Sequence, residues 1–138
     1  MITKVIVLAA DNQYINQLTT TLKSILFNNN GVKVYVLNPD IPQEWFLGVN
    51  NYVNQIGDQI VDYKYQPDEL ANVHNIADRV SNSSYARFLI SDAVAEDKAL
   101  YLDSDLIVDG SLNYHSQNNH SFMLSQTCLV QILMLGFY

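Results

Sequence analysis

Cysteine is almost absent from this 138-residue chain: Cys128 stands alone, so no disulfide can form within it. A reducing compartment fits that usage. Basic residues are scarce, with 7 Lys and Arg against 14 Asp and Glu and a formal net charge of −7. That balance argues against nucleic acid as a partner, because a polyanion needs a basic footprint. It does not argue against nucleotides, whose phosphates a divalent cation can neutralise. The five glycines are scattered, so no glycine-rich phosphate loop is present. Long apolar runs are also missing. The stretch after Lys4 breaks at Asp11, and the apolar stretch from Cys128 to the end is too short for a helix across a bilayer. The expectation is a cytoplasmic chain that does not cross a membrane.

What is there in quantity is apolar: 49% of residues, enough for a core in one domain. "KVIVLAA" (4–10) is continuous and rich in β-branched residues, the mark of a strand covered on both faces. Ile15, Leu18, Leu22, Ile25 and Leu26 then recur at helical spacing, and Asn28-Asn29-Asn30-Gly31 closes that helix. "VKVYVLN" (32–38) predicts a second strand, and a weaker helix follows Pro42. "QIVDYKY" (59–65) predicts a third strand, while residues 66–82 are polar and ambiguous. Residues 83–97 predict a helix, with Ser83 or Ser84 as its cap. "KALYLD" (98–103) predicts a fourth strand, and 106–108 a short continuation. Strands alternating with helices mean an α/β architecture around a mostly parallel sheet. In such sheets ligands bind beyond the carboxyl ends of the strands. The acidic breaks at Asp11 and Asp103 follow the first and fourth strands, so both belong to one rim.

Asp103-Ser104-Asp105 is the most suggestive short stretch. Residues i and i+2 of an extended segment lie on one side. Both carboxylates can then reach one hard cation, Mn²⁺ or Mg²⁺, which would relieve their repulsion. An ordinary polar turn after a strand is the plainer reading. Ala9-Ala10-Asp11, followed by Asn12, Gln13 and Tyr14, combines small residues, a carboxylate that can accept from a base or ribose, and an aromatic ring that can stack. The plainer reading is a strand-to-helix loop with Asp11 or Asn12 as helix cap. Arg87 could clamp phosphate oxygens or pair with a neighbouring carboxylate. His74, His115 and His120 lack metal-ligand spacing, and Cys128 suits a buried apolar position.

The order of three segments, "VIVLAADNQY", "SSYARFLISDAV" and "KALYLDSDLIVDGSL", resembles glycosyltransferase family 8, the group that holds lipopolysaccharide galactosyltransferases and glycogenin. The resemblance covers residues 3 to about 112. It implies a Rossmann-like nucleotide-diphospho-sugar transferase fold, truncated here. It also implies an enzyme that moves a hexose from a UDP-sugar donor to the hydroxyl of a saccharide acceptor, with retention at the anomeric carbon. By resemblance, Asp103 and Asp105 match the ligands of a Mn²⁺ (or Mg²⁺) ion. Ala9, Asp11 and Tyr14 match uridine contacts, and Gln13 stands where Asn is frequent. Arg87, Ser84 and Ser104 match residues close to the donor. No catalytic residue is assigned. Bacterial surface polysaccharide or lipopolysaccharide synthesis is the implied setting.

After Leu112 the likeness stops. Family members are longer; the resemblance implies a further histidine ligand and a Phe-Asn-Ala-Gly segment, neither of which is found in this chain. The expected division is a nucleotide-sugar-binding domain at 1–112 and an aberrant or truncated tail at 113–138. "VQILMLGF" (130–137), back-translated with A/T-rich codons and read one base earlier, can give Ser-Asn-Phe-Asn-Ala-Gly-Phe. A frameshift or shortened reading frame between about 112 and 130 is therefore expected, with little activity. An under-covered sheet face would favour a homo-oligomer. Two alternatives stand beside this reading. A haloacid-dehalogenase-like phosphatase would carry its Asp-x-Asp on the first strand and continue into Gly-Thr, which this chain does not do. A non-catalytic nucleotide-binding or structural remnant would keep the fold without the transfer.

Overall fold

The computed structural model describes residues 4–66, 90–96 and 98–112, and the backbone of 122–125 and 128–134. Strand β1 (Lys4–Ala9) leads through a 3₁₀ turn (Asn12–Tyr14) into helix α1 (Ile15–Asn28). Strand β2 (Val32–Asn38), helix α2 (Gln43–Gln55) and strand β3 (Gln59–Lys64) follow. Helix α3 (Ile90–Ala93), strand β4 (Lys98–Leu102) and strands β5 (Phe122–Ser125) and β6 (Cys128–Met134) complete the described elements. The six strands form one sheet in the order β3-β2-β1-β4-β6-β5. The β3, β2, β1 and β4 strands are mutually parallel, whereas β6 runs antiparallel to both β4 and β5. The expected α/β class with a mostly parallel sheet is the observed one.

Parity along the strands explains why the apolar runs are continuous. Ile6 and Leu8 of β1, Val34 and Val36 of β2, and Leu100 and Leu102 of β4 face one side. There they pack with Leu18, Leu22 and Ile25 of α1 and Phe46 and Val53 of α2. The alternate residues Val5, Val7 and Ala9, Tyr35 and Leu37, and Ala99 and Tyr101 face the other side, with Ile90 and Val94. Both faces are covered, so neither set can be polar. Each fully buried Leu, Ile or Val contributes about 1.5–3 kcal/mol.

The helix ends follow local chemistry. Asn29 Nδ2 donates to the Ile25 carbonyl at 3.0 Å, satisfying a carbonyl the last turn leaves open. Gly31 then turns the chain at φ 67°, a conformation that suits glycine. Helix α2 starts after Pro42 and closes where Gly57 takes φ 79°. Trp45 of α2 donates from Nε1 to Thr19 Oγ1 at 3.1 Å, joining the two helices.

Three expectations need correction. The predicted helix over 83–97 is observed only from Ile90 to Ala93, and its first seven residues lie outside those described. It does not run on to 97: Val94 closes the last turn on Ile90, and Glu96 reaches over β1 to Lys33 (2.7 Å) and the Tyr35 hydroxyl (2.7 Å) on β2. The predicted continuation strand at 106–108 is not in the sheet, because its backbone partners are side chains of α1. The third strand ends at Lys64, although Tyr65 still donates its N–H to the Asn38 carbonyl at 3.1 Å. Residues 122–125 and 128–134 contribute the backbone of β5 and β6 to the same sheet. Met134 there lies opposite Lys98, and Gln131 opposite Tyr101. No helix among the described residues is long and apolar enough to cross a membrane.

Candidate functional site

The chain runs outward from β1 through β2 to β3, then returns to place β4 on the other side of β1. The strand order therefore reverses between β1 and β4. A reversal of this kind opens a crevice at the carboxyl ends of the two strands, where open α/β sheets bind ligands. Leu8 lies opposite Leu102 in that register. Immediately beyond, Ser104 Oγ donates to the Ala9 carbonyl at 2.5 Å. One hydrogen bond thus ties the Asp103-Ser104-Asp105 stretch to the end of β1.

On the β1 side, Asp11 is half-buried and Oδ1 accepts from the Gln13 N–H at 3.0 Å, capping the 3₁₀ turn. The capping role is therefore real. Asp40 holds the same turn from the β2 side, its Oδ1 accepting from the Asn12 N–H at 2.8 Å. Tyr14 follows, 44% exposed, with its ring available to a flat partner. Ala9 and Ala10 are buried.

On the β4 side, Asp103 and Asp105 are exposed and Ser104 is half-buried. Asp105 lines a cleft of about 250 Å³ with Asn16, Gln17, Thr20 and Thr21 of α1 and with Leu106 and Ile107. Among the described residues no group of three or more His, Cys, Asp or Glu gathers to hold a metal ion. The two carboxylates fit a hard cation as a partial set: both are oxygen donors, both are accessible, and the remaining positions would fall to water and to ligand oxygens. Ser84 and Arg87 lie outside the described residues, as do His74, His115 and His120.

Sequence reasoning missed the α1 contribution. Thr21 is fully buried, and its hydroxyl donates to the carbonyls of Ser104 (2.9 Å) and Leu106 (2.7 Å). The signal was legible: Thr21 interrupts the apolar stripe of Leu18, Leu22 and Ile25, and a polar group on a buried face needs a partner. Asp40 gave no such signal, since it reads as an ordinary turn residue after Pro39.

The sequence model for "Glycosyl transferase family 8" matches residues 5–117. The chain belongs to glycosyltransferase family 8. Among its relatives, glycosyltransferase GlyD of Streptococcus pneumoniae serotype 4 is 46% identical over 109 residues, which are 79% of this chain and 13% of GlyD. The crystal structure of glycosyltransferase GlyE from the same species superposes with a TM-score of 0.74 at 32% identity, over 96% of this chain and 34% of the GlyE chain. The galactosyltransferase LgtC, solved in complex with donor and acceptor sugar analogs, superposes with a TM-score of 0.62 at 28% identity. That match covers 78% of this chain and 40% of LgtC. The family-8 chain described here therefore spans well under half the length of these relatives, and it shares their glycosyltransferase fold.

Proposed function

We propose that this chain is the donor-binding part of a metal-dependent, retaining glycosyltransferase that takes a hexose from a UDP-sugar. The observation that supports the reading best is the Ser104–Ala9 hydrogen bond, which brings the Asp-x-Asp stretch and the Asp11–Tyr14 turn together where the strand order reverses. In the transfer, the bond from the anomeric carbon to the diphosphate breaks and a bond from that carbon to the acceptor oxygen forms. The acceptor hydroxyl loses its proton and UDP departs. Asp103 and Asp105 would hold Mn²⁺ or Mg²⁺, which when bound supplies Lewis-acid stabilisation of the departing diphosphate. The Oδ2 of Asp11 would accept from the uracil N–H or a ribose hydroxyl, and Tyr14 would stack on the base. Ser84 and Arg87 complete the donor contacts in this reading, on resemblance to the family. A saccharide of the bacterial surface is the proposed acceptor class.

A second reading is a nucleotide-binding remnant without transfer. One observation favours keeping it: among the described residues no group of three or more His, Cys, Asp or Glu gathers to hold a metal ion. Calorimetric titration with UDP and Mn²⁺, followed by a transfer assay with UDP-glucose and UDP-galactose, separates the cases. Metal-dependent UDP binding with transfer supports the enzyme. Binding without transfer or hydrolysis supports the remnant, and no UDP binding with or without Mn²⁺ overturns both. Self-association belongs to the same proposal, supported by exposed Phe27, Leu47, Tyr52 and Ile107.

A further inference from the structure

Helix α1 carries three consecutive threonines that do two different things. The Thr19 hydroxyl donates to the Ile15 carbonyl at 2.6 Å and the Thr20 hydroxyl to the Asn16 carbonyl at 3.0 Å. Back-bonding to the i−4 carbonyl is the usual fate of a hydroxyl inside a helix. The Thr21 hydroxyl instead leaves its helix, and its single proton is shared between the carbonyls of Ser104 and Leu106. Those two carbonyls flank Asp105.

The grip continues down the same helix. Ser24 Oγ accepts from the Val108 N–H at 2.9 Å, and Asn28 Nδ2 donates to the Val108 carbonyl at 2.6 Å. Asn29 Oδ1 accepts from the Leu112 N–H at 2.7 Å. Every one of these bonds goes to an even-numbered residue of the 104–112 segment. The even-numbered residues are buried or half-buried, and Asp105, Ile107, Asp109 and Ser111 are exposed. The segment has the alternation of a strand, but a polar stripe on a helix replaces the second strand. Thr21 stands at the end of that stripe nearest the rim.

We propose that Thr21 is a positioning residue for the metal site: by holding the carbonyls on either side of Asp105, its hydroxyl fixes where that carboxylate stands relative to Asp103. The inference rests on the reading of Asp103 and Asp105 as metal ligands. Groups that orient ligands without touching the ion typically change metal affinity 10–100-fold when removed. A buried threonine kept only for packing would tolerate valine, which has nearly the same shape, and would be hurt by any loss of volume. A positioning hydroxyl would be hurt by valine and rescued by serine.

The test is titration of the full chain with Mn²⁺ alone, followed by electron paramagnetic resonance of the free ion, well below each variant's melting temperature. Thr21→Val and Thr21→Ala, two ways of deleting the hydroxyl, are expected to weaken Mn²⁺ binding about tenfold or more. Thr21→Ser is expected to stay within about twofold of the parent chain. Whichever hydroxyl-free variant folds carries the comparison. If Asp105→Asn abolishes binding while a folded Thr21→Val binds Mn²⁺ like the parent, the positioning role is overturned and the metal-ligand reading stands. Loss in Thr21→Ser equal to that in Thr21→Val also overturns it, since volume rather than the hydroxyl would then matter. A parent chain that binds no Mn²⁺, or that binds it equally well after Asp105→Asn, removes the metal-ligand reading and this inference with it.

Discussion

Asp58 stands at the foot of the sheet, 3% exposed, with Oδ1 accepting from the Val32 N–H at 3.0 Å. That bond occupies the first amide of β2 and joins the end of α2 to the start of the strand. The second carboxylate oxygen is buried and makes no hydrogen bond among the described residues. Removing the acceptor would leave the Val32 N–H buried and unsatisfied, a loss of about 1–3 kcal/mol. Asp58→Ala should therefore lower the unfolding free energy by about that amount in urea titrations. Asp58→Asn, which keeps an acceptor oxygen, should lose less, and equal losses in the two variants would contradict the account. At the rim, one oxygen of Asp11 caps the 3₁₀ turn by accepting from the Gln13 N–H.

Helix α3 and strand β4 are joined by a short connection that Glu96 pins to β2. Burial pushes the Glu96 carboxyl up, but the hydrogen bonds from Lys33 and the Tyr35 hydroxyl outweigh it and leave the group below its ordinary value of 4.5. The hydrogen bond to Glu96, then that with Tyr35, holds the Lys33 ammonium above 10.5. A carboxyl lowered by folding stabilises the fold above its unfolded value and stops doing so as pH falls through the folded one. An ammonium raised by folding stabilises below its unfolded value and stops as pH rises through the folded one. The side chains are partly exposed, at 21% for Lys33 and 31% for Glu96, so the pair contributes at most about 1 kcal/mol. The stability difference between the parent chain and Glu96→Gln should be constant between pH about 6 and 9. It should shrink below pH 4.5, and a difference that grows on acidification would refute the assignment. The 104–112 segment is the other element whose position depends on side chains rather than on a ladder.

At the scale of the molecule, the sheet order places the described donor-site candidates around one crevice, Asp11 and Tyr14 on its β1 side and Asp103 and Asp105 on its β4 side. Antiparallel pairing of β6 occupies the edge of β4 that a four-stranded parallel sheet would leave open. On the α1–α2 side the surface is apolar: Phe27 is 88% exposed, and a groove of about 880 Å³ runs between Leu26, Phe27, Val49 and Tyr52. Static light scattering across a concentration series is expected to show mass above that of one chain. A monomer at the highest concentration would contradict the self-association expected from this surface.

The amino-acid sequence by itself determined strands β1, β2 and β4, because their largely β-branched apolar runs suit strands covered on both faces, and β3 from its alternation; β5 and β6 it did not announce. It also determined the acidic stretch after the fourth strand, since two carboxylates one residue apart interrupt an apolar run visibly. The first helix and its stop at Asn28–Gly31 were equally legible from spacing and from the glycine. Only the tertiary structure decided that β4 lies beside β1, which makes Asp11 and Asp103 neighbours across a crevice. Only it decided that residues 104–112 lean on α1 and not on another strand. Thr19, Thr20 and Thr21 are the same residue type; the apolar stripe marks Thr21 as the buried one, but nothing local chooses the partner for its hydroxyl. That choice is made by where the chain returns 83 residues later, bringing two carbonyls that need a donor within reach of the one threonine on the buried face.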